Sequence, residues 1–274
     1  MKFSDANKIL ENLPYTGTRK GRFFYNFVVE HDVRRMLELG FAYGASTSYF
    51  AAALDDQNGH IDTVDVLDSH HGTKLEEVSA ELGLGSRISI YRETSSYTWF
   101  LKKKIEEQTR DGVCHPIYDL CFIDGPKDWT NDGAAFFMVD KLLKPGGWII
   151  FDDYAWSYRQ QEALSGSKYK RGYVFEKMSE EEWSVSQVEA IYRLLVRQHP
   201  GYASFSVVDN CLALAQKTQN STMTGQLKFS TALTPSYMLF AALQKTARIW
   251  RRLTAKTSNS SPIVDKDENS RPYR

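Results

Sequence analysis

Four aspartates carry most of the chemistry legible in this chain. Asp65 ends the run Ile61-Asp-Thr-Val-Asp65, Asp124 follows Leu120-Cys-Phe-Ile123, and Asp152 and Asp153 stand together after Trp148-Ile-Ile-Phe151. Each apolar run is short, as in strands buried on both faces. Carboxylates brought together repel one another unless something positive or a shared proton holds them. Asp124, Asp152 and Asp153 therefore require a dication, a cationic substrate or shared protons. All-oxygen donors select a hard ion, magnesium or calcium, with manganese as a further option, and no Cys/His spacing points to zinc. The alternative is that Asp152 or Asp153 caps the following segment while Asp124 binds a neutral group. Asp65 has a separate use: an acidic side chain at the end of a second strand accepts both hydroxyls of a ribose.

A glycine turn precedes them. Glu38, Gly40 and Gly44 are spaced E-x-G-x-x-x-G, with Phe41 in the turn and Ser46 opening a helix. Two glycines between strand and helix let backbone amides approach a ligand that a Cβ would push away. A turn that needs glycine only for its own backbone angles has the same spacing. Lys127, three residues after Asp124, is open to three roles. With an ordinary pKa of about 10.4 it needs desolvation or a dication to act as a base; otherwise it anchors an anionic substrate or is a solvated loop lysine. His70 and His71 offer a different base at the cavity mouth.

The elements that must position these residues alternate. Strands are expected at residues 36–39, 61–66, 87–92, 119–123, 148–151, 204–208 and 212–216, with helices from 46 and near 74–82, 97–108, 132–143 and 185–198. Such alternation gives a mainly parallel sheet with helices on both faces. Asp209-Asn210 leaves no room for a crossover, so the last two strands form an antiparallel hairpin. The fold class is α/β, a Rossmann-like seven-stranded sheet. Ligands bind beyond the carboxyl ends of such strands, where neighbours lie about 4.8 Å apart. Helices are expected at 4–13 and 22–30, within a segment 1–30; the second carries Phe23, Phe24, Phe27 and Val28 at helical spacing, which suits packing, with a lid over that end as the alternative. Trp129, Tyr154, Trp156 and Tyr158 follow the fourth and fifth strands and suit a substrate wall or loop packing. Residues 157–182, with Lys168, Lys170, Arg171, Tyr169 and Tyr173, have the length of a lid that suits a phosphorylated or acidic substrate.

With 274 residues, 42% of them hydrophobic, the chain can bury one full-sized core. The 34 basic and 34 acidic side chains are unevenly spread: residues 218–274 hold nine of the former and three of the latter. Residues 235–254 read as a basic amphipathic helix for packing, self-association or peripheral membrane contact, between a polar linker and a disordered end. Nucleic-acid binding is not expected, because basic residues are confined to the tail and the lid. Cys114, Cys121 and Cys211 read as reduced core thiols, and with no apolar leader the expected compartment is the cytoplasm.

The ordered set ELGFAYGAS, TVDV, YDLCFIDGPKDW, LLKPGGWIIFDDY resembles the class I S-adenosylmethionine-dependent methyltransferases. Within them it looks most like the small-molecule and sugar O-methyltransferases that include macrocin-type and cephalosporin-hydroxylase-like enzymes. The resemblance covers residues 31–217 and implies S-adenosylmethionine as cofactor. Glu38, Gly40, Phe41, Gly44 and Ser46 would line its turn, Asp65 its ribose, and Ser95 with Thr94 its adenine, unless these two cap the next helix. Asp124, Asp152 and Asp153 fall where metal-dependent members hold their ion. Lys127 falls where such members often have a histidine base. Asp124 and Lys127 are thus the expected catalytic pair, a hydroxyl on a small molecule or sugar the expected acceptor, and magnesium the expected metal.

Overall fold

The computed structural model describes residues 1–67, 72–165, 178–218 and 228–230. The expected strands form at Arg35–Leu39 (β1), His60–Val66 (β2), Ile88–Glu93 (β3), Tyr118–Ile123 (β4), Leu143–Phe151 (β5), Tyr202–Val208 (β6) and Leu212–Lys217 (β7), and Lys228–Ser230 (β8) adds an edge. The sheet order is β8-β6-β7-β5-β4-β1-β2-β3. All neighbours are parallel except β7, which runs antiparallel to β5 and β6. Asp209 and Asn210 have φ of 54° and 56°, the left-handed pair that a two-residue hairpin turn requires. The polar stretch expected to be only a linker thus supplies an eighth strand, parallel to β6.

Alternation along each strand sends side chains into two cores. Met36, Leu120, Phe122, Ile150, Leu212 and Leu214 face one side of the sheet; Leu37, Leu39, Cys121, Ile123, Ile149, Phe151, Ala213 and Ala215 face the other. Helices α1 (Phe3–Leu10), α2 (Thr18–Glu30), α3 (Ala45–Asp56) and α4 (Lys74–Glu81) cover the first. Helices α5 (Tyr97–Gln108), α6 (Trp129–Leu142) and α9 (Gln187–Ile191) cover the second, and among the described residues α7 (Tyr158–Ser165) and α8 (Glu180–Ser184) lie between α6 and α9 in the chain. The late helix expected as one piece runs from α9 into a π-helical turn at Tyr192–Val196. Its Ser186 cap and the Ser179–Glu182 capping box are both formed.

The N-terminal helices are part of the first core. Phe24 stacks on Phe50 with ring centroids 4.5 Å apart and meets Phe122 edge-on at 5.0 Å. Gly21 makes this approach possible, since a Cβ there would sit 2.3 Å from the Tyr49 ring. Helix α2 begins at Thr18, four residues before the expected start, because Gly17 in extended geometry opens it without a side-chain cap. That extra turn carries Lys20.

Candidate active site

Sheet register sets the site. Phe151 pairs with Ile123, Ile123 with Leu39, and Leu39 with Val64. The next residues along each chain are Asp152, Asp124, Gly40 and Asp65, so three of the four aspartates end adjacent or near-adjacent strands at one edge of the sheet. Gly40 has φ +92°, and a Cβ on it would lie 2.3 Å from the Asp124 carbonyl oxygen. Glycine is required here by close approach of β1 and β4. Gly44, at φ +81°, opens α3 and presses on Leu75, where a Cβ would meet Cδ1 at 2.4 Å. Its role is backbone angle and packing.

Glu38 is fully buried on the α3 side of β1. It accepts hydrogen bonds from Ser46 Oγ at 2.7 Å, from Thr63 Oγ1 at 2.6 Å and from the Thr47 hydroxyl. Burial raises its carboxyl to about 7 despite these donors. Glu38 and Ser46 therefore hold strand, turn and helix together. Asp65 is half-buried, and its Oδ2 accepts the Phe41 and Ala42 amides at 3.1 and 2.9 Å. Phe41 is buried beneath the Arg92 guanidinium, 5.3 Å from its ring. Ser95 is exposed beyond β3; the cap of α5 is Ser96, which accepts from the Thr98 amide at 3.2 Å.

Asp124, Asp152 and Asp153 meet at the other side of Gly40, with two lysines among them. Lys127 Nζ pairs with Asp124 Oδ1 and lies 3.6 Å from Asp153 Oδ2. Lys20 Nζ pairs with Asp152 Oδ2. The second oxygen of Asp152 accepts the Asp153 amide at 2.8 Å and the Cys211 thiol at 3.4 Å. The facing carboxylates hold both ammonium groups charged, although burial opposes it. The Lys20 and Lys127 charges pull the Asp152 carboxyl below its ordinary value against burial, while burial and the Asp152 charge push Asp153 up. Lys127 and Asp153 both have positive φ, 62° and 57°, which turns their side chains out of the strand direction and toward each other.

These residues can be tested against the groups they were expected to hold. A nucleoside hydroxyl fits: Asp65 Oδ2 is taken up by the Phe41 and Ala42 amides, but Oδ1 accepts only the Val66 amide, at 2.7 Å, and has a lone pair left for a diol. A hard dication fits poorly. Asp152, Asp153 and Cys211 can bring one ligand atom each within 4.8 Å of one another, but a thiol is a soft donor, and the oxygens of Asp152 are already held by Lys20, Cys211 and a backbone amide.

Lys20 and Cys211 are the residues that sequence reasoning missed. Lys20 stood in an expected loop, and only its basic neighbours Arg19 and Arg22 facing an acidic body hinted at a role. Tyr154 and Tyr158, expected in a substrate wall or in loop packing, are buried. Tyr154 packs edge-on to Tyr192, and Tyr158 stacks on Trp183. Trp129 is exposed and Trp156 half-buried. His70, His71, the basic stretch 168–173 and the helix expected at 235–254 lie outside the described residues.

Residues 37–154 match the family described as Methyltransferase domain. The sequence matches none of the curated proteins. Among solved structures, an O-methyltransferase from Bacillus cereus in complex with SAH aligns at 21% identity and TM-score 0.55, over 79% of this chain and 90% of that one. The O-methyltransferase TomG from Streptomyces achromogenes, in complex with SAM and involved in tomaymycin synthesis, aligns at 19% and 0.53, over 79% and 89%. The MycE methyltransferase of mycinamycin biosynthesis, in complex with Mg, SAH and mycinamycin VI, aligns at 14% and 0.51, over 80% of this chain and 55% of that one. Residues 37–154 thus match a methyltransferase domain, and the sheet around them has the fold of these S-adenosylmethionine- and SAH-bound methyltransferase structures.

Proposed function

We propose that the chain transfers the methyl group of S-adenosylmethionine to a hydroxyl of a small molecule or sugar. The observation that carries this reading is the row of strand ends, where Asp65 and the glycine turn lie on one side of Gly40 and Asp124, Lys127 and Asp153 on the other. The likeness to O-methyltransferases supports oxygen as the atom methylated. Bound S-adenosylmethionine supplies a sulfonium methyl group. Asp65 binds the ribose, and Gly40 lets the Asp124 end of β4 pack close beside the turn. An acceptor hydroxyl at the aspartate side must lie within about 3 to 3.5 Å of the methyl carbon and lose its proton as the new bond forms. Asp153 is the carboxylate placed to take it, being about one-third exposed and the least firmly paired of the three. The Lys127 ammonium, fixed by Asp124, stabilises the developing alkoxide. Magnesium, expected from the sequence, has no step in this reading.

The test is calorimetry with S-adenosylmethionine, followed by a screen of sugars and phenols for methyl transfer. Binding that Asp65→Ala weakens about tenfold or more, as loss of a charge-assisted hydrogen bond implies, together with transfer to at least one hydroxyl, supports the proposal. No cofactor binding would sink it.

A further inference from the structure

Helix α2 delivers a cation to the carboxylate row from more than a hundred residues away. Lys20 pairs with Asp152 Oδ2 with its own side chain 20% exposed and that of Asp152 4% exposed. Helix α2 is fixed in this place by the Gly21 contact with Tyr49 and by Phe24 between Phe50 and Phe122. Lys127 does the same for Asp124 and Asp153 from within the site. Three carboxylates face two ammonium groups, so one negative charge is left over. A dication reaching Asp152 would have to displace Lys20 from Oδ2, because Oδ1 already accepts the Asp153 amide and the Cys211 thiol. A dication beside Lys20 would also meet like charge at close range.

We propose that the Lys20 ammonium occupies the position of a dication at Asp152, so that the chain itself supplies the charge that balances this carboxylate and the N-terminal helix is part of the acceptor site. The proposal rests on the methyltransferase reading for its meaning, but it concerns metal affinity and can fail separately. It makes Lys20 a positioning residue, one that fixes Asp152 and the turn into Asp153.

The experiment titrates Mn2+ into the full chain and follows the free-ion signal by electron paramagnetic resonance, with Mg2+ as competitor. SAH binding by calorimetry, on the same samples, reports on the cofactor reading and on folding. Lys20→Met keeps the length of the side chain and removes its charge. It should bind Mn2+ at least about tenfold more tightly than wild type, the gain expected from removing one close like charge. Lys20→Arg should show no such gain, and adding Asp152→Asn to Lys20→Met should abolish it. Two results would overturn the proposal. One is wild type binding Mn2+ as tightly as Lys20→Met, with Asp152→Asn removing the binding. The other is Lys20→Met, folded and binding SAH, with no gain over wild type. Absence of SAH binding in wild type would count against the methyltransferase reading and leave the Mn2+ comparison valid. If Lys20→Met does not fold, Lys20→Gln and the wild-type titration answer the same question.

Discussion

Glu38 shows how a residue can mark a cofactor turn and yet serve the fold. Its carboxylate is spent on three hydroxyls, so its effect on a ligand passes through the shape of the turn. Because burial raises its carboxyl to about 7, above the ordinary glutamate range, the protonated form is favoured in the fold. The stability this group contributes is whole below the unfolded value, falls as pH rises toward 7, and stays lost above it, by roughly 3 kcal/mol in all. Glu38→Gln removes the titration, so in urea unfolding its stability relative to wild type should improve between pH 5 and pH 8 by about 2 to 3 kcal/mol. An unchanged difference at the two pH values would show that Glu38 does not titrate in this range. Asp153 gives the contrasting case, a residue whose loss should leave the fold alone. Asp153→Asn should lower kcat by about 100-fold or more if it takes the acceptor's proton, with SAH affinity unchanged. Equal losses in SAH affinity and kcat would instead place it in cofactor binding.

At the scale of elements, strand ends were legible because the apolar runs are stopped by an aspartate or, at β1, by a glycine, and the parallel alternation fixes which end faces the ligand. The register that sets Asp152, Asp124, Gly40 and Asp65 side by side follows from that order. What the sequence hid has a physical reason in each case. Lys20 meets Asp152 only through tertiary packing, and β8 is a three-residue edge in a polar stretch with no periodicity to detect. Gly21 is another such case, since its need for smallness comes from Tyr49 on a different helix. Gly21→Ala should cost about 1 to 3 kcal/mol through overpacking. Gly40→Ala should cost more, because the same crowding against the Asp124 carbonyl is joined by a left-handed φ worth about 1 to 2 kcal/mol. Denaturant midpoints of the two variants test the order, and Gly40→Ala as stable as Gly21→Ala would contradict the close approach of β1 and β4.

For the whole molecule, the question is which parts of the chain the methyltransferase fold needs. Residues 1–230 form one compact unit. From sequence, the aromatics of the N-terminal helices read as packing, with a lid over the site as the alternative, and the domain as residues 31–217. The helices bury Phe3, Leu10, Phe24, Phe27 and Val28 in the core that also holds Met36 and Phe122. At about 1.5 to 3 kcal/mol for each such side chain, their removal would cost roughly 10 kcal/mol, as much as the whole stability of an ordinary domain. A chain of residues 31–230 should therefore show no cooperative thermal transition and no SAH binding. A chain of residues 1–230 keeps both cores, the eight-stranded sheet and every residue of the carboxylate row, so it should unfold cooperatively and bind SAH as the full chain does. Calorimetry on the two truncations separates a lid from a structural layer. Cooperative unfolding of the 31–230 chain would mean that α1 and α2 are dispensable to the fold, and it would remove the rigid support on which the placement of Lys20 depends.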